Sequence, residues 1–181
     1  MMLLTLPAFD KLRKFLQEAK FPPENLISNS DQKVQISEGD GLKFLNDGAK
    51  STQKKSEDSN MQPLITGDMV QGQHLWVVRS EDVVHAEEQC EFGKKLESKI
   101  IKHTNLTGGG KAFSGGEIIF LNDCQIIING CSGRYGPKSE EEMLSIAMAF
   151  SDSGYLVWNM GYDDEANKPL PFLGVDPQFV G

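Results

Sequence analysis

Residues 103–120 read HTNLTGGGKAFSGGEIIF, which sets His103 fourteen positions before Glu117 with five glycines between them. An imidazole that titrates near neutral pH and a carboxylate are a natural pair for general acid–base work. Arg134 follows the next apolar stretch, and its planar fork suits a phosphate or carboxylate oxygen pair. An acid, a base and a cation are all that a metal-free ribonuclease needs. The expectation is therefore His103 as general acid or base, Glu117 as its partner and Arg134 as anion stabiliser. Thr104, Ser132 and Tyr135 are candidate substrate donors, and Gly109 and Gly110 are candidate points of close backbone approach. Plainer roles stay open beside these. His103 can donate to a backbone carbonyl, Glu117 and Arg134 can form a structural ion pair, and the glycines can serve only a turn.

Other chemistries fit less well. Cys131, in INGCSG, reads as a nucleophile if His103 is its base, and as a small buried thiol otherwise. The glycines precede a strand rather than a Lys-Ser/Thr helix start, and no βαβ unit surrounds them, so neither nucleotide fingerprint applies. HAEEQC lacks the P-C-x-x-C of zinc deaminases. GYDDEANKP is acidic but lacks the full calcium-loop spacing and reads as a solvated turn. No cofactor and no metal are expected.

The stretch HTNLTGGGKAFSGGEIIFLNDCQIIINGCSGRYGP resembles a module of uncharacterised bacterial proteins that also occurs in plant IQ-motif calmodulin-binding proteins. That module runs H-S-S-F, a glycine-containing spacer, A-G-E, a hairpin, then S-G-H-Y and a proline. His103–Leu106, Gly115–Glu117 and Ser132–Tyr135 with Pro137 fall on the three motifs, within roughly residues 74–158. The resemblance implies a fold more than a reaction. Arg134 stands where the module has histidine, Thr104 and Asn105 replace its serines, and no IQ motif is present, so calmodulin binding is not implied.

The elements that must position these residues show in the pattern. Residues 8–20 repeat apolar side chains at helical spacing, with Pro7 suited to the first turn. HLWVV (74–78), DVVHAEE (82–88), SKIIKH (98–103) and YLVWNM (155–160) read as strands. GEIIFL and CQIIIN read as a hairpin about Asn122-Asp123. PKSEEEMLSIAMAF reads as a helix capped by Ser139, with Met143, Leu144, Ile146, Ala147 and Phe150 inward. The proline-rich tail reads as irregular. The predicted class is α+β: a mostly antiparallel sheet with a packed helix in the C-terminal half and an N-terminal amphipathic helix. The predicted division is a helix over 1–22, a polar linker or mobile loop over 23–61 and a compact domain over 62–181.

The 181 residues carry a formal net charge of −8, which argues against a broad nucleic-acid surface, since neutralising phosphates takes an excess of Lys and Arg. A local cationic pocket is not excluded. MMLLTLPAF reads as the lead into a helix rather than a signal peptide, and no apolar stretch reaches membrane-span length. The three cysteines form no CxxC pair and read as reduced thiols. The expected location is the cytoplasm, or delivery by a specialised secretion route without a Sec signal. The function expected is a small effector-like or toxin-like acid–base enzyme acting on RNA or a nucleotide. A non-catalytic ligand- or protein-binding module is the alternative, and a Cys131/His103 thiol enzyme such as a deamidase is a further one. The partner is an unidentified small-molecule, nucleotide or protein ligand.

Overall fold

The computed structural model describes residues 7–17, 34–45 and 62–180. Helix α1 (Pro7–Leu16) buries Phe9, Leu12 and Leu16 of the expected apolar stripe together with Arg13, while Phe15, expected on the same stripe, is exposed. Strand β1 (Lys43–Phe44) follows a 3-10 turn at Glu38–Asp40, and α2 (Gly67–Gln71) precedes strands β2 (His74–Val78) and β3 (Val83–Glu87). The short helices α3 (Glu91–Lys94) and α4 (His103–Thr107) lead to β4 (Ser114–Phe120) and β5 (Gln125–Asn129). Helix α5 (Glu140–Asp152), β6 (Leu156–Asn159), β7 (Tyr162–Asp163), β8 (Lys168–Pro169) and β9 (Gln178–Phe179) complete the order.

One seven-stranded sheet runs β1-β3-β2-β4-β5-β6-β9. Its pairs are antiparallel except β5–β6, which is parallel because α5 carries the chain back across the sheet. The α+β class with a mostly antiparallel sheet holds. The hairpin alternates as its pleat requires. Ile118 and Phe120 face one side, while Ile119 and Leu121 share the other with Glu117.

The first face packs against α1 and α5 through Trp76, Ile118, Ile126, Ile128 and Val157. Phe9 meets Phe150 edge-on with ring centroids 5.0 Å apart. Arg13 of α1 ties the helix down, its Nε and NH2 donating to the carbonyls of Arg79 and Asp82 at 2.7 and 2.8 Å. The cap of α5 is the one expected, with Ser139 Oγ accepting from the Glu142 N–H at 3.1 Å. On the second face two apolar clusters lie side by side. One gathers Leu75, Val77, Ile101, Leu106 and Tyr135, and the other Ile119, Ile127, Trp158 and Phe172.

Several expectations need correction. Residues 34–45, assigned to the polar linker, join the sheet: Ile36, Leu42 and Leu45 are buried and β1 pairs with β3. Three apolar side chains suffice there despite the polar composition. The packed body therefore does not begin at residue 62. Segments 23–33 and 46–61 lie outside the described residues. SKIIKH is not a strand; Ile101 anchors a loop through its N–H to Glu88 O at 2.9 Å, and His103 opens α4. Leu144 is exposed rather than inward. The tail supplies β8 and β9, each two residues long.

Candidate functional site

His103 stands at the first position of α4. Asn105 fixes that turn, its Oδ1 accepting from the Lys102 N–H at 2.8 Å and its Nδ2 donating to Val34 O at 2.8 Å. The imidazole lies against β4, with Nε2 2.8 Å from Gly116 O. A carbonyl only accepts, so Nε2 carries the proton. Gly115 makes room, since a Cβ there would sit 3.3 Å from His103 Cδ2 and 3.1 Å from Tyr135 Cβ. The edge holding Nε2 and Cδ2 faces the strand, which turns Nδ1 away from it. Burial lowers the pKa to about 4, so the ring is neutral at pH 7.

The remaining glycines serve the chain's course. Gly108 ends α4 at φ +66, a left-handed conformation that favours glycine, and Gly109 follows at φ +85. The Tyr135 hydroxyl donates to Gly110 O at 2.6 Å and lies 3.0 Å from Thr107 Oγ1. Tyr135 is only 2% exposed; it clamps the glycine loop instead of awaiting a substrate. Gly109 and Gly110 build the turn behind the site.

Glu117 is held by amides, not by an arginine. Its Oε1 accepts from Asn129 Nδ2 at 2.9 Å and its Oε2 from Gln73 Nε2 at 2.8 Å. Asn129 Oδ1 accepts in turn from the N–H groups of Glu117 and Cys131, both at 3.0 Å. The Glu117–Arg134 ion pair that the sequence left open gives way to this arrangement because the sheet register sets Glu117 directly opposite both Leu75 and Asn129. Gln73 Nε2 also reaches Glu88 Oε1 at 3.3 Å, and burial together with Glu117 raises the Glu88 pKa. Burial, then Glu117, pushes the Cys131 thiol up to about 12. A thiol held protonated there is a poor nucleophile; its Sγ points toward Leu170 O, 3.9 Å away.

The open site lies next to these groups. Lys102, His103, Thr104, Ser132, Gly133 and Arg134 line a pocket of about 250 Å³. Of the candidate site residues, His103, Thr104, Ser132 and Arg134 line this pocket, while Glu117 and Tyr135 are not among its lining residues. Thr104 Oγ1 is buried without a partner. Ser132 Oγ accepts from the Tyr135 N–H at 3.2 Å, leaving its own proton to donate. Lys102 is the lining cation that sequence reasoning missed; its place directly before His103 was the signal. Gln73 and Asn129 were missed too, although Asn129 is the polar end of an apolar run.

The acidic GYDDEANKP segment is a β7–β8 turn. Asp163 Oδ1 accepts from the N–H groups of Glu165 and Ala166, and Asp164 Oδ1 accepts from the Glu140 N–H at the start of α5. Among the described residues no group of three or more His, Cys, Asp or Glu is arranged to hold a metal ion, and no helix is long and apolar enough to cross a membrane.

No protein-family model, curated protein or solved structure matches the chain.

Proposed function

We propose that the protein is a binding module for a phosphate-type anionic group, seated between Lys102 and Arg134 with Ser132 as hydroxyl donor. The observation that carries this reading is the placement of both cations, the hydroxyl and a neutral imidazole on one pocket. Arginine grips a tetrahedral oxyanion through its fork and lysine through its point charge. Two of the three stretches that resemble the bacterial and plant module, those at His103 and Ser132, line this pocket, which is consistent with this reading.

The acid–base enzyme acting on RNA or a nucleotide is the second reading. Its support is that His103 lines the same pocket. Against it, an imidazole with a pKa of about 4 is a weak base at neutral pH, and Glu117 is occupied by two amides. Effector-like or toxin-like action rests on this second reading.

Calorimetry with inorganic phosphate, a nucleoside monophosphate and a short RNA tests both. Saturable binding that weakens with salt, and drops about tenfold or more in Lys102→Ala and in Arg134→Ala, supports the module. Turnover of nucleotide or RNA, lost in a folded His103→Gln protein, supports the enzyme. Neither binding nor turnover at millimolar ligand overturns both.

A further inference from the structure

The first face of the sheet carries two imidazoles remote from the pocket's lining. His74 opens β2 and His85 lies within β3. Their register partners are Glu87 and Trp76 respectively, so the histidines sit diagonally on one face. Their Nδ1 atoms are 3.0 Å apart. Phe120 of β4 packs against both rings, with centroid distances of 5.1 and 5.0 Å, and so restricts how they can turn.

In the present pair one Nδ1 donates and the other accepts. If the donating ring moves its proton to Nε2, the two Nδ1 lone pairs face each other across 3.0 Å, and a tilt of the two rings aims both at one shared ion, with no net proton gained or lost. For metal–nitrogen bonds of about 2.0–2.1 Å, the 3.0 Å separation subtends roughly 95° at a shared ion. That is the angle between adjacent ligands in square-planar or octahedral coordination, and it is narrower than a tetrahedral site asks for.

We propose that His74 and His85 form a two-nitrogen site for a divalent transition metal of tetragonal preference, Cu²⁺ ahead of Ni²⁺. The order follows the general affinity series for nitrogen ligands. Glu87, opposite His74 in the register, adds a negative charge nearby, but no third protein group joins the two nitrogens among the described residues, so water completes the shell. Lys43, opposite His85 in β1, sets a positive charge on the same face and weakens the site.

The chain has three histidines, so the test is clean. Ni²⁺ calorimetry on the whole protein should give one site, and Cu²⁺ spin-echo spectroscopy should show two equatorial imidazoles. His74→Gln, at a half-buried position, should fold as judged by circular dichroism and lose about tenfold or more in Ni²⁺ affinity. Lys43→Glu should tighten it. No saturable Ni²⁺ binding, a sulfur-ligated Cu²⁺ signal, or unchanged affinity in folded His74→Gln would each overturn the assignment.

Discussion

The His103 imidazole is bonded to the backbone of Gly116, Nε2 to O at 2.8 Å, and so joins α4 to the middle of β4. A catalytic-looking histidine is here a strut. His103→Ala removes the strut and leaves a buried carbonyl without a donor, at a cost of about 1–3 kcal/mol. Thermal denaturation should show a drop of roughly 3–10 °C in a chain of this size. An unchanged melting temperature would mean that the bond contributes nothing to the fold.

The glycines separate by mechanism. A Cβ at Gly116 would overlap Asn129 O and come within 2.8 Å of the Trp76 ring, so Gly116→Ala should fail to fold or melt far below the native protein. Gly109→Ala sets a side chain at an unfavourable φ of +85 and should cost about 1–2 kcal/mol. At Gly133, on the pocket, a Cβ has nothing within 4 Å. Gly133→Ala should leave the melting temperature within about 1 °C while altering anion affinity. Equal damage from all three would contradict these assignments.

Stability should fall on mild acidification. Burial lowers the pKa of His74, His85 and His103 to about 4, 3 and 4, below the roughly 6.5 of an unfolded chain. A lowered folded pKa means that the unfolded state takes up the proton first. The stabilising effect is full above pH 6.5 and is lost as pH falls toward 4 and 3. Near pH 5, unfolding should take up roughly 2–3 protons at these groups. Urea titrations from pH 7.5 to 4.5 measure that slope, and a flat profile would refute the burial of the three rings.

Glu88 carries the opposite sign. Its pKa is raised by burial and by Glu117, so ionisation weakens the fold and stability is regained as pH falls through the raised value. Glu88→Gln keeps the oxygen that Gln73 reaches and removes the charge. It should raise the melting temperature at pH 7 by roughly 1–3 °C. A fall would show the charge to be stabilising.

Asn129→Asp is the harsher change. It removes the donor to Glu117 Oε1 and sets a second carboxylate against the first. The expected loss is about 3 kcal/mol or more at pH 7, smaller at pH 4 where one carboxyl takes a proton. Denaturant midpoints at the two pH values test both halves.

Strand β2, the β4–β5 hairpin and α5 with its Ser139 cap were legible because each carries its signal within a few consecutive residues. Helix α4 was not: five residues are too few to display a period, and the Ile100-Ile101 pair beside it mimics a strand. Residues 34–45 were misread because their place depends on Ile36, Leu42 and Leu45 finding a surface made elsewhere. At the site, the glycine spacing brought His103 to the strand carrying Glu117. The partner of Glu117 was not legible, because choosing amides over Arg134 takes the register of β2 against β4 and of β4 against β5. Charge alone favoured the arginine.

The strand order also sets a schedule for folding. The β2–β3 and β4–β5 hairpins close over short connections and can zip early. The β2–β4 pair joins strands whose facing residues Val78 and Ser114 are separated by α3, α4 and the glycine turn, so its closure entropy is larger and its rate slower. The two halves of the sheet therefore meet late, along the line where Gln73 must find Glu117. The hydrogen-bonded carboxylate serves as the latch of that last step, and a chain caught before it would expose two unpaired strand edges to its neighbours.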